Sequence, residues 1–255
     1  MEQLKESIVQ KASKLRLIQG ADQNQEEFHQ IALTSGVSRK TAATIREYQK
    51  VILSARAVVD HYQPHLPVQP DCPMVPLGEL CVIQSGDTPR RTEELYWNGS
   101  IPWVGPSVCQ GGEVTLAEDF ITEAGLNESY AKLFPKDSTL IALTGVEMGK
   151  TGLLKFESTT SQNIAGLYSK SKKILLPAYL FYAAQDLYAE IRIHGAGKWQ
   201  KVPMPFIREY QIPLPPLAMQ LAILAELEAE RALVAANRQL IIRLEQKIQL
   251  ALDSP

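Results

Sequence analysis

Three short stretches of this chain carry side chains suited to gripping a nucleic acid. Thr88, Arg90 and Arg91 surround Pro89, so an ordered turn presents two guanidiniums whose planar forks can take guanine O6 and N7, or a phosphate. Lys150 and Thr151 follow Gly149 on a predicted glycine turn, where a lysine can reach a phosphate. Lys198, Trp199, Gln200 and Lys201 make a basic, aromatic and amide-bearing loop able to address either backbone or base edges. Solvated surface charge is the competing reading of each stretch. Tyr96, Trp97 and Trp103 read as core rather than contact.

Covalent chemistry finds no comparable set. Gly145-Val146-Glu147-Met148-Gly149-Lys150-Thr151 is one residue short of P-loop spacing, because Thr144 stands where the first glycine is needed. His61 and His65 are spaced as metal ligands would be, but Pro64 breaks the helix that would put them on one face. The Pro215-Pro216 pair follows Leu214, unlike the Asn-Pro-Pro-Tyr type loop with which an adenine methyltransferase holds a flipped base. Glu245-Gln246-Lys247, the one carboxylate-x-Lys, lies far along the chain from Pro70-Asp71, so no metal-nuclease motif is assembled. The expectation is a binding protein with no catalytic residue, no metal and no cofactor of its own.

The totals agree with a protein of one large domain and helical attachments: 255 residues, 45% hydrophobic and 21% charged. Net charge is −2 and the isoelectric point about 6.1, and between Cys81 and Ile212 acids slightly outnumber bases. Any DNA surface therefore requires local sorting of charge. Cys72, Cys81 and Cys109 are odd in number without a C-x-x-C pair, which points to reduced structural thiols. No run of about eighteen apolar residues occurs and Met1 to Glu6 does not open a signal peptide, so the expected location is the cytoplasm.

The elements that would position these residues fall in four parts. Residues 1–62 are helical in pattern, with a stripe at Leu4, Ile8, Ala12 and Leu15, a stop at Gly20, and a second helix from Arg39 to Tyr62. Between the two helices, residues 31–45 read as an ordinary helical hairpin or, alternatively, as a helix-turn-helix with Gly36 at the turn and Ser38 as cap, which would make the chain a transcription regulator reading DNA there. Residues 63–76, with Pro64, Pro67, Pro70, Pro73 and Pro76, form an extended linker. Residues 77–212 alternate short apolar runs with Gly and Pro, which predicts strands at Leu80–Gln84, Ile101–Val104, Thr139–Leu143, Gly152–Phe156 and Ala165–Tyr168, and a helix from Pro177 to Ile191. The class is α+β with a mixed or antiparallel sheet.

Residues 213–255 begin with a stiff proline joint, Pro213 to Pro216, and continue as one helix of roughly 50 Å from Leu217 to Leu252. Leu227, Val234, Ile241 and Ile248 recur every seven residues, and Leu244 and Asn237 fall on the second seam. That pattern predicts pairing with a second copy through Leu227, Val234, Asn237, Ile241, Leu244 and Ile248. A helix folded back on its own domain is the alternative.

Several motifs occur together in order. Val75-Pro76-Leu77-Gly78-Glu79-Leu80 is followed by Ser85-Gly86-Asp87-Thr88-Pro89, then Tyr96-Trp97-Asn98-Gly99-Ser100-Ile101-Pro102-Trp103. Leu133-Phe134-Pro135, Thr144 to Lys150, Gln162-Asn163 and Pro213-Leu214-Pro215-Pro216-Leu217-Ala218-Met219-Gln220 complete the series. From about Val75 to Leu252 the chain resembles the specificity subunit of type I restriction modification systems, with one target recognition domain and one conserved helix. Asp87 stands where the family has a second Gly, and Met219 where it has Glu.

The resemblance implies a subunit that selects double-stranded DNA for a separate adenine-N6 methyltransferase, which holds the S-adenosylmethionine, and in some systems for a restriction subunit. One domain and one helix imply a half subunit that forms a homodimer on a palindromic bipartite site. Residues 1–62 more weakly resemble the helical region that joins methyltransferase and recognition domain in fused single-chain enzymes.

Overall fold

The computed structural model describes residues 38–62, 66, 72–195 and 200–253. They form two compact units, one within Pro64–Glu228 and one combining the first described helix with the chain beyond Ala229.

The larger unit is built on strands whose alternate residues face two different cores. In order come β1 Met74–Pro76, α1 Leu77–Leu80, β2 Cys81–Ser85, β3 Trp97–Val104, β4 Gly112–Val114, β5 Asp119–Ile121, α2 Glu123–Asn127, β6 Leu133–Phe134, β7 Thr139–Ala142, β8 Thr151–Leu154, β9 Ser158–Thr160, β10 Ile164–Ser169, α3 Pro177–Gln185, α4 Leu187–Gly195, α5 Met204–Glu209 and β11 Gln211–Pro213. A five-stranded sheet has the order β2-β10-β7-β8-β4, a four-stranded sheet the order β5-β3-β9-β6, and β1 pairs with β11. Leu140, Ala142, Leu154 and Ile164 face the four-stranded sheet, where they pack with Val104 and Phe134. Ile141, Leu143, Leu153 and Ala165 face the opposite core with Leu180 and Phe181 of α3. With both faces covered, β7 and β8 are buried at every residue, which explains why their sequences read as continuous apolar runs. A third cluster, Trp97, Trp103 and Ile121, lies in the four-stranded sheet.

The α+β class and mixed pairing match the expectation. β3 meets β9 in parallel and β5 antiparallel, and β4 meets β8 in parallel. The predicted helix from Pro177 is interrupted at Asp186, whose φ of −64° and ψ of −25° keep the chain right-handed between α3 and α4. Cys81 and Cys109 are buried free thiols, each pushed up to about 12, first of all by burial.

At the joint, Pro213 ends an edge strand and α6, Leu217–Asp253, begins directly after Pro216. Gln220 is fully buried there. Its carbonyl accepts from the Leu176 amide at 3.0 Å, and its amide donates to Ile174 O at 2.8 Å and Pro215 O at 2.9 Å. Ile223 and Leu227 join the α3 core, and Glu228 accepts from the Tyr182 hydroxyl at 2.8 Å.

In the second unit the far half of α6 meets a 23-residue helix, α0, Arg39–His61. Ser38 caps it by accepting from the Thr41 amide at 3.1 Å, as expected. Ala42, Ile45 and Ile52 bury against Leu244 and Ile248, with Ile241 and Ala251 at the margin, and Arg56 pairs with Glu245 at 2.6 Å.

This corrects one expectation, and the helix-turn-helix alternative gains no support. Leu227, Ile241, Leu244 and Ile248 were expected to face a second copy, but Leu227 packs in the α3 core and the other three lie against the apolar stripe of α0. Asn237 donates to Leu233 O of its own helix at 2.9 Å, and Val234 is buried. The helix that would have read DNA in a helix-turn-helix has Ala42 and Ile45 buried in this pair; residues 31–37 lie outside the described residues, as does the predicted helix at Leu4 to Leu15. Among the described residues no helix is long and apolar enough to cross a membrane.

Candidate nucleic-acid interface

Strand registers bring the loops of both sheets to one end of the larger unit. Ser85 pairs with Ala165, Ile164 with Ala142, Ile141 with Thr151, and Gly112 with Gly152, so the loops at 86–91, 161–163, 143–150 and 109–111 are neighbours. The four-stranded sheet adds its own. Val104 pairs with Thr160 and Leu133 with Thr159, so the segment after β3 and residues 130–132 reach the same end. Val202 donates to Leu143 O at 2.9 Å and brings in Gln200 and Lys201.

Here the charge is sorted as the composition required. Asp87 accepts from the Tyr130 amide at 3.3 Å, and Glu118 accepts from the Gly105 amide at 2.5 Å and from the Ser107 hydroxyl. These carboxylates are engaged by main-chain and hydroxyl donors of the loops. Arg90, Lys132 and Lys201 are exposed, and Lys150 is partly so, with Nζ 3.3 Å from Gln110 Oε1. The result is a rim of cations and amides, interrupted by Glu147 at the tip of the 143–150 loop, in a chain of net negative charge.

The 86–91 loop is fixed rather than free. Gly86 lies so close to the β9–β10 turn that a Cβ would sit 2.0 Å from Thr160 O, which only glycine tolerates. Trp97 Nε1 donates to Arg90 O at 3.1 Å and Trp103 Nε1 to Asp87 O at 3.3 Å. Thr88 donates to Gln162 Oε1 at 2.5 Å, and Lys201 donates to Gln162 O at 2.8 Å.

The described residues among the predicted contacts thus converge at this end, although two of them have other engagements. Arg91 stacks 3.5 Å from the Trp97 ring centroid and 4.8 Å from that of Trp103, and pairs with Asp119 at 2.5 Å. Its guanidinium is committed to the loop's own framework. Thr151 is buried in β8 opposite Ile141, so its hydroxyl is withdrawn from the surface. Thr88 holds Gln162, while Arg90, Lys150, Gln200 and Lys201 stand on the rim. Lys198 and Trp199 lie outside the described residues. Trp97 and Trp103 are core, as expected.

Sequence reading missed Tyr130, 87% exposed, together with Lys132, Gln110 and Val146. Only the glycines around Val146 signalled a turn. Asp119 feels opposing forces: burial favours its neutral form, but the Arg91 hydrogen bond, the Phe120 amide and the Arg91 charge outweigh that and hold the carboxyl below its usual 3.8. Among the described residues no group of three or more His, Cys, Asp or Glu could hold a metal ion.

Comparison with known proteins places this geometry. The profile of the type I restriction modification DNA specificity domain matches residues 71–246. The type I restriction enzyme MjaIX specificity subunit of Methanocaldococcus jannaschii is 23% identical over 143 residues, covering 54% of this chain and 33% of the relative. The EcoR124I/EcoR124II specificity subunit of Escherichia coli is 27% identical over 152 residues, covering 53% and 37%. The chain therefore spans less than two thirds of these relatives' length. Among solved structures, the HsdS subunit from Thermoanaerobacter tengcongensis shares the fold at a TM-score of 0.56 and 20% identity, over 94% of this chain and 57% of that one. The S subunit from M. genitalium does so at 0.52 and 15%, over 90% and 60%.

Proposed function

Because the chain belongs to the type I restriction modification DNA specificity domain family, we propose that it selects a DNA sequence for a separate adenine-N6 methyltransferase and performs no covalent step itself. The observation that carries this reading is the convergence of Arg90, Lys132, Lys150 and Lys201 with Gln110, Gln162 and Gln200 at one end of two sheets. The cations neutralise phosphates and fix register, while amides and loop tips address base edges. A restriction subunit is a further partner in the same reading.

One recognition unit of this size reads one half of a bipartite target. Pairing two copies supplies the other half and makes the target palindromic. With Leu244 and Ile248 covered by α0, Leu233 and Leu240, exposed and seven apart on α6, are among the described apolar residues open to a second copy. The function is tested by single-molecule sequencing of DNA from cells producing the methyltransferase with and without this chain. Adenine methylation at one bipartite motif, lost without the chain, is expected; an unchanged pattern refutes the proposal.

A further inference from the structure

The loop between β7 and β8 combines rigidity with an exposed apolar tip. β7 and β8 form an antiparallel ribbon at the centre of the five-stranded sheet, with Leu140 opposite Gly152. Gly149 donates to Ala142 O at 2.8 Å, Ala142 to Lys150 O at 2.9 Å, and Lys150 to Glu147 O at 2.8 Å. Leu143, at the base, donates to Asn163 O at 2.8 Å.

Gly145 and Gly149 adopt φ of 76° and 85°, and a Cβ on Gly149 would press Tyr188 and Ile191 at 3.1 and 3.3 Å. Within this bonded frame Val146 is 85% exposed. A side chain held out by a fixed backbone loses little further freedom when it is bound.

The neighbours decide what it would meet. Lys150 stands at the ribbon's base, beside Gln110, whereas the tip itself carries Glu147 and no cation. A carboxylate at the tip disfavours phosphate contact, so the tip is suited to base edges and its base to the backbone. In the major groove, where all four base pairs can be told apart, the only apolar group displayed on a base edge is the thymine 5-methyl.

We propose that the Gly145–Gly149 tip is a base-reading element, with Val146 packing on the 5-methyl of a thymine in the target's major groove. Glu147, beside it, is placed to accept from the N4 amino group of a neighbouring cytosine. The inference rests on the DNA-selection reading above and adds the group that is read.

The test uses the full chain assembled with the methyltransferase on duplexes carrying its mapped target. Each thymine is replaced in turn by deoxyuridine, which lacks only the methyl. At one position the native complex is expected to bind the deoxyuridine duplex about fourfold more weakly, the worth of one buried methyl. Val146→Ala is expected to bind the two duplexes alike there, while melting as the native chain does because its side chain is exposed. A native ratio retained by V146A at every position overturns the proposal, as does the absence of any methyl effect in the native complex. If the native complex prefers no sequence over a scrambled duplex, the DNA-selection reading itself fails; if that preference stands and only the methyl effect is missing, the tip assignment alone falls.

Discussion

Replacing Gln220 by Met should remove three hydrogen bonds from the buried joint while keeping most of the side chain's volume. The Leu176 amide, bonded to Gln220 Oε1 at 3.0 Å, would be left without that partner, and Ile174 O and Pro215 O would lose donors at 2.8 and 2.9 Å. An orphaned buried amide costs about 1–3 kcal/mol, and the two carbonyls add less each, so the total is about 3–5 kcal/mol. That is a large part of the stability of a typical domain, roughly 5–15 kcal/mol. At about 2–4 °C per kcal/mol for a chain of this size, the melting temperature should fall by roughly 10 °C.

Calorimetry on the purified full chain measures it. Gln220→Ala should fall further, because a cavity is added. Gln220→Glu separates hydrogen bonding from size: its carboxylate can still accept from Leu176 but faces two carbonyls, so relative to the native chain it should recover stability as the pH drops and the group is protonated. A Q220M chain that melts within about 3 °C of native would refute the idea that these bonds lock the start of α6 to the body.

Other outcomes can be checked alongside. Gly86→Ala, whose Cβ would sit 2.0 Å from Thr160 O, should displace the 86–91 loop and abolish sequence preference in binding titrations of the assembled complex. Lys150→Ala and Lys201→Ala should each lower the slope of log affinity against log salt by about 1 if they contact phosphate, with sequence preference unchanged. Asp119 is held below 3.8, so its contribution is complete above that pH and is lost as pH falls through the depressed value; tryptophan fluorescence should report release of Arg91 from Trp97 in acid, and Asp119→Asn should remove that transition. Leu244→Ala should destabilise the α0–α6 pair by about 2–5 kcal/mol in thermal melts, whereas Leu233→Ala, exposed, should leave the monomer's stability unchanged.

Much of this molecule is legible in local pattern. The strands at Thr139–Ala142 and Ile164–Ser169 announce themselves as apolar runs between Gly and Pro punctuation, and the 37-residue α6 follows from an unbroken helical stretch behind a proline joint. Arg90, Lys150 and Lys201 are recognisable as contact candidates because their neighbours impose turns. What local pattern misjudges is commitment: nothing near Arg91 in sequence reveals Asp119, 28 residues on, and nothing near Thr151 reveals that its strand is covered on both faces. Short strands such as β6 and β9, two and three residues long, leave no periodic signal at all.

Residue type and spacing alone determined the α+β class, the proline joint and the heptad seam on the last helix, because each depends on neighbours within a turn or a strand. Only the tertiary structure decided which cations stand exposed, that one sheet end collects loops from six parts of the chain, and that the seam's far half is covered by α0. Those outcomes depend on strand register and on contacts between residues as far apart as Arg56 and Glu245, and such long-range pairings are selected by packing the whole core rather than by any local preference.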